Sequence, residues 1–224
     1  VLLAYSTTPT FGLPQTGTGY VPGNTIPGGG TVLYSGGATT FSHTSLATAT
    51  TYYYKLWSVD GTISYSSGAS ASASTQCGVV TLPYSELFAG EIFPSCWSQQ
   101  TSGAGVSNSW SASVTSNAGG TACEMKSDWQ QVNPGTTRLV SPAFNTTGMT
   151  QLNLNFRHML DDYAPGATLR VQSSSNGTTW TNEAWSLATA SNNNIGPAIV
   201  NTTITSNLNS PATYISFTIE GDLY

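Results

Sequence analysis

Charge is what this sequence has least of. Only 7% of its 224 residues are charged, where globular proteins carry about 25%. Five Lys and Arg stand against ten Asp and Glu, a net charge of −5. Neutralising several phosphates takes basic clusters, and none exists, which excludes a nucleic-acid partner. No apolar run approaches the roughly 20 residues of a membrane-spanning helix, so membrane insertion is not expected. Scarce Lys, Glu and Arg also argue against long helices.

Aromatic residues are plentiful at 11%, within a hydrophobic fraction of 38%, so a core can be built. Ser and Thr number 64. The surface is therefore polar through hydroxyls and amides rather than through ions. That bias, with so little charge, reads as extracellular, where a disulfide persists. The three cysteines, Cys77, Cys96 and Cys123, allow at most one intramolecular bridge and leave one thiol over. Metal binding is the rival reading; no CxxC occurs and no His lies near a Cys. There is no initiator Met and no signal-peptide pattern. Val1 to Tyr5 reads as a strand already under way, and the chain is expected to be a piece of a longer secreted protein.

Two all-β sections are expected, residues 1–75 and 76–224. Gly and Pro punctuate the first, down to Gly28-Gly29-Gly30, which has no following Lys or helix and reads as a flexible loop rather than a phosphate cradle. Strands are expected at Val1–Tyr5, Thr31–Tyr34, Thr39–Phe41 and Thr51–Val59. Asp60-Gly61 would turn Ile63–Tyr65 back, and part of 66–76 would form a last strand. In the second section, apolar and polar residues alternate along Leu152–Arg157, Thr168–Gln172 and Ile215–Glu220. Asn176-Gly177 predicts a two-residue type I′ hairpin before Thr179–Thr181. Many short antiparallel strands fit sandwiches.

Leu46, Thr50 and Tyr52, within TSLATATTYYYKLWSVDG, resemble the tyrosine corner of fibronectin type III domains. The resemblance implies a sandwich whose first strands lie upstream of Val1, and a Tyr52 hydroxyl tied back to the preceding connection. From Cys77 to Gly221 the pieces LPYSELF, FPSCW, RLVSPAFNTTG, LNFRH, SSSNGTTWT and ISFTIEG resemble the choice-of-anchor J, or cleaved-adhesin, domain, a MAM-like jelly roll truncated here at its C-terminal end. That resemblance implies a Cys77–Cys96 disulfide around the LPYSELF turn, a free Cys123, and Trp97 and Trp180 in the core. Such jelly rolls often hold a structural calcium. Here Leu87 and Ala89 stand where acids are usual, while Glu86 and Glu91 do not match, so no cofactor is expected.

Catalytic signatures are missing. His43 and His158 fall in different sections, and no nucleophile elbow or His-Glu-x-x-His occurs. His158 beside Asp161 and Asp162 reads as a sheet-edge histidine. Adjacent Asp161 and Asp162 would point to opposite faces of a strand, unlike the paired acids of a glycosidase. Trp110, Trp129 and Tyr163 lie in polar, loop-like contexts and are the candidates for stacking on sugar rings, with Asp161 and Asp162 to bind hydroxyls. Asn145, Asn176 and Asn201 head N-x-Thr sequons. The expected function is a non-enzymatic extracellular module for adhesion, or for surface-layer or filament assembly with copies of itself or other surface proteins. The alternative is a carbohydrate-binding accessory domain of a secreted hydrolase or peptidase.

Overall fold

The computed structural model describes residues 1–190 and 194–223. It is all-β, with antiparallel sheets and no helix among the described residues. The chain divides into two compact units, Val1–Cys77 and Gly78–Tyr224.

The first unit is one four-stranded sheet. Its strands β1 (Leu2–Ser6), β2 (Thr31–Ser35), β3 (Thr51–Trp57) and β4 (Ala69–Ser74) lie in the order β2-β1-β3-β4. Leu2 pairs with Trp57, which puts both on one face. Leu2, Ala4, Val32 and Trp57 form a core there with Tyr20 and Ile26. The Gly/Pro-rich segment between β1 and β2 supplies those last two. It is tied down by its own backbone: Gly12 N donates to Gly29 O at 2.9 Å and Ile26 N to Gly30 O at 2.8 Å. Tyr5 and Tyr54, paired across the strands, take the other face. Tyr52 OH accepts from Ala47 N at 3.0 Å, the tie-back that the tyrosine corner implies. Thr39–Phe41 is not a strand; Phe41 leaves the backbone pattern to pack on Tyr34. Ile63–Tyr65 makes only a bridge to Val59, because Asp60 Oδ1 accepts from both Thr62 N and Ser64 N and winds a tighter turn.

The second unit holds β5 (Ser98–Ser102), β6 (Trp110–Ser113), β7 (Glu124–Ser127), β8 (Gly135–Val140), β9 (Leu152–Leu160), β10 (Ala167–Ser174), β11 (Thr181–Ala188), β12 (Ile195–Ile204) and β13 (Tyr214–Gly221). Five of them form the sheet β11-β10-β13-β8-β5, while β12–β9 and β6–β7 are two-stranded. Period-two alternation gives the large sheet an apolar face and a polar face. Val171 and Ile215 on its apolar side meet Phe144 and Ile204, with Leu152, Leu154 and Phe156 of β9 packed against them. The β9–β12 pair is thus the second layer of a sandwich. Val171 and Ile204 are fully buried, each worth about 1.5–3 kcal/mol of transfer free energy.

The Asn176-Gly177 turn is not the type I′ hairpin expected. Gly177 has φ +72° but Asn176 stays at negative φ. Its Oδ1 accepts from Thr178 N at 2.9 Å and Thr179 N at 2.8 Å, a side-chain turn that competes with the two-residue hairpin. The loop therefore runs on, and β11 opens only at Thr181.

Candidate functional site

The polar face of the five-stranded sheet is built in cross-strand rows. Ser102, Thr136, Glu220 and Thr168 lie opposite one another on β5, β8, β13 and β10. One step along the strands, Gln100, Arg138, Thr218 and Arg170 form the next row. Beyond it come Ser98, Val140, Ser216, Gln172 and Asn182.

The second and third rows are roofed. The long β10–β11 loop bends over the sheet from one edge strand to the other. Trp180 Nε1 donates to Gln100 Oε1 at 3.0 Å, and Gln100 Nε2 donates to Gly177 O at 2.7 Å. The Arg138 guanidinium lies over the Trp180 ring, 5.8 Å from its centroid. Arg138 Nε donates to Gln172 Oε1 at 2.8 Å, as does Thr218 Oγ1 at 3.0 Å. Gln172 Nε2 donates to Asn182 Oδ1 at 2.8 Å. Burial holds the Arg138 guanidinium below its ordinary value, and nearby Glu220 partly offsets this. Trp180 is therefore not a core residue. It belongs to the polar face, because the extended loop delivers its ring onto the sheet rather than between the layers.

The first row stays open. It floors a trough of about 420 Å³ lined by Ser102, Thr136, Glu220 and Thr168, with Gly103, Gly135, Gly166 and Gly221 at the strand ends. Glycine keeps the lip low where chains approach. A Cβ on Gly221, at φ +105°, would come within 2.2 Å of Gly166 O. Glu220 pairs with Arg170 on its own face, both side chains less than a third exposed.

Two expected sugar platforms sit on loops at this end. Trp129 is 70% exposed and Tyr163 is 67% exposed. The loop after β7 is fixed by Gln130 N to Leu223 O at 2.7 Å, and the β9–β10 loop by Asp222 N to Gly166 O at 3.0 Å. Both loops are thus anchored on the segment that follows β13. Trp110 is half-buried at the start of β6, its backbone held by the Gln99 side chain through both N and O, so it is not an exposed platform. Asp161 and Asp162 diverge. Asp161 is exposed, while Asp162 is 3% exposed and accepts from Ala190 N at 3.1 Å. His43 lies among Tyr5, Tyr52 and Tyr54, and His158 packs on Phe156 and Trp185.

Cys77 and Cys96 are disulfide-bonded and Cys123 is free, a bridge that marks an oxidising compartment. Both Glu86 oxygens are engaged, by Tyr84 OH and by Phe88 N. Among the described residues no three His, Cys, Asp or Glu side chains are grouped to hold a metal ion.

Glu220, Thr136, Arg138 and Gln172 were not among the sequence candidates. Thr168, Arg170 and Gln172 do alternate against Leu169 and Val171, and Ser216, Thr218 and Glu220 against the isoleucines and Phe217. What the sequence lacks is the strand order that brings these two stripes together with β8.

No family model matches the chain, and no curated protein matches it. A solved structure of carbohydrate-binding modules of promiscuous specificity from the β-sandwich superfamily is similar to it at 11% identity. The match covers 99% of this chain and 79% of that one, with a TM-score of 0.41. No residue of the site is placed by that likeness.

Proposed function

We propose that the second unit is a non-enzymatic extracellular module that binds carbohydrate, carried at the cell surface within a larger secreted protein. The observation that carries this reading is the open trough, where three hydroxyls (Ser102, Thr136, Thr168) and one carboxylate (Glu220) line up at the end of the sheet whose loops carry exposed Trp129 and Tyr163. Sugars are recognised by such sets: hydroxyls and carboxylates bond their hydroxyl groups, and aromatic rings cover their C–H faces. A binding role rather than hydrolysis fits the acids. Glycosidases use two carboxylates across a cleft, and Glu220 is the one acid in the trough lining. The tyrosine-corner and cleaved-adhesin resemblances, with their implied partial fibronectin-like sandwich and jelly roll, agree with a secreted surface module. The test is a glycan array probed with the whole chain, then with Trp129→Ala and Tyr163→Ala. Binding weakened by either change supports the reading, and no binding to any glycan overturns it.

A second reading, surface assembly, rests on β4. Its six residues alternate Ala and Ser, all exposed, at the edge of the first unit's sheet. An edge without charge, Pro or bulge is open to pairing with another chain. Analytical ultracentrifugation of the chain, with Ser72→Lys as the edge-blocking variant, tests it. A concentration-dependent oligomer lost in the variant supports it, and a monomer throughout refutes it.

A further inference from the structure

We infer that the trough takes an internal stretch of an uncharged glycan chain, lying across the strands, rather than a single terminal sugar. This inference rests on the carbohydrate-binding reading and adds the class of ligand and its direction. The direction comes from the register. The lining residues come from four consecutive strands of the sheet, Ser102 and Gly103 from the β5 end, Gly135 and Thr136 from β8, Glu220 and Gly221 from β13, and Gly166 and Thr168 from the start of β10. Adjacent strands lie about 4.8 Å apart, so the floor runs roughly 14 Å perpendicular to the strands. That length exceeds one pyranose ring and presents a polar side chain at every strand. One long side is bounded by the taller row of Gln100, Arg138 and Arg170. The other is the lip of Gly103, Gly135, Gly166 and Gly221, with Pro134 among them and the Asp222 side chain against Gly166, and the trough is open there rather than closed around a chain end.

The preference for an uncharged chain follows from the ions. Glu220 is the only charge in the lining, and Arg170 neutralises it. Arg138, the remaining cation of this face, turns its Nε to Gln172 and its plane to Trp180. A polyanionic chain would meet a carboxylate in the trough and a protein of net charge −5, with no uncommitted cation to receive it. Hydroxyl groups, by contrast, can both donate to Glu220 and exchange hydrogen bonds with Ser102, Thr136 and Thr168.

The experiment is calorimetric titration of the whole chain with three oligosaccharide series of one to six units: β-1,4-linked xylose, β-1,4-linked glucose and α-1,4-linked galacturonate. The variants are Thr136→Val and Thr168→Val, which keep the β-branched shape and remove one hydroxyl each. The expected result is affinity for a neutral series that rises at least tenfold from one to three units and then levels. Each Val variant should weaken the trisaccharide by about tenfold, the worth of one hydrogen bond. Equal affinity for one and three units, tighter binding of galacturonate, or Val variants that bind like the parent overturns this inference while leaving carbohydrate binding in place. Failure of every series, matched by an empty glycan array, removes both.

Discussion

Gln172 is the side chain on which the polar sheet face turns, and Gln172→Leu isolates its contribution. The substitution keeps volume and removes three hydrogen bonds, which are unequal. Asn182 is exposed, so its Oδ1 recovers a water and that loss costs close to nothing. Thr218 is 2% exposed but keeps Ser216 Oγ at 2.9 Å, which limits its cost to about 0.5–1 kcal/mol. Arg138 loses the acceptor of its Nε. A hydrogen bond to a charged group contributes about 1.5–3 kcal/mol, and the guanidinium, only partly buried, takes the lower part of that range. The sum is about 2–3 kcal/mol. It should be read from hydrogen-exchange protection of β10 and β13 amides, which report this unit alone. Asn182→Ala should stay within about 0.5 kcal/mol of the parent. The double variant Arg138→Met, Gln172→Leu should cost less than the sum of its parts, because removing both partners leaves no stranded donor. A Gln172→Leu protein as protected as the parent, or strictly additive costs, refutes the reasoning.

Acid should weaken the second unit through His158. Burial holds this imidazole below its ordinary value, and its Nδ1 has no hydrogen-bond partner. The unfolded chain then binds the proton more tightly, so stability is full above about pH 6.5, falls as pH drops through that value and levels below the folded pKa. His158→Phe should flatten that slope in a pH series of urea midpoints, and an unchanged slope assigns it elsewhere. Replacing Cys77 and Cys96 with Ser, nineteen positions apart, should lower stability by about 3 kcal/mol on the chain-entropy model, and an unshifted urea midpoint contradicts it. Trp57→Ala, at a fully buried site of the first unit, should cost about 3–5 kcal/mol, seen as lost amide protection in β1 and β3.

Strands were legible where one face is buried. Leu152–Phe156 and Ile215–Ile219 alternate because one side of each faces the opposite layer of the sandwich, and both stretches are strands. Thr39–Phe41 has the composition of a strand but no neighbour to pair with, and Phe41 is drawn to Tyr34 instead. Asn176-Gly177 promised a tight hairpin, yet the Asn176 carboxamide captures the following amides and lengthens the loop. That one local competition carries Trp180 onto the polar face, a placement hidden from any reading of the tryptophan alone. The exposure of Trp129 and Tyr163 was legible because polar loops expose large rings. The trough was not, since its floor draws one residue from each of four strands whose adjacency only the folded sheet defines.

The most direct test is a nuclear magnetic resonance titration of the isotopically labelled chain with neutral xylo- and gluco-oligosaccharides. Binding at the trough predicts shift changes concentrated at Ser102, Thr136, Thr168 and Glu220, reaching Trp129 and Tyr163. Changes centred on β4 or the outer face of β9 and β12, or a spectrum that does not respond, would contradict it.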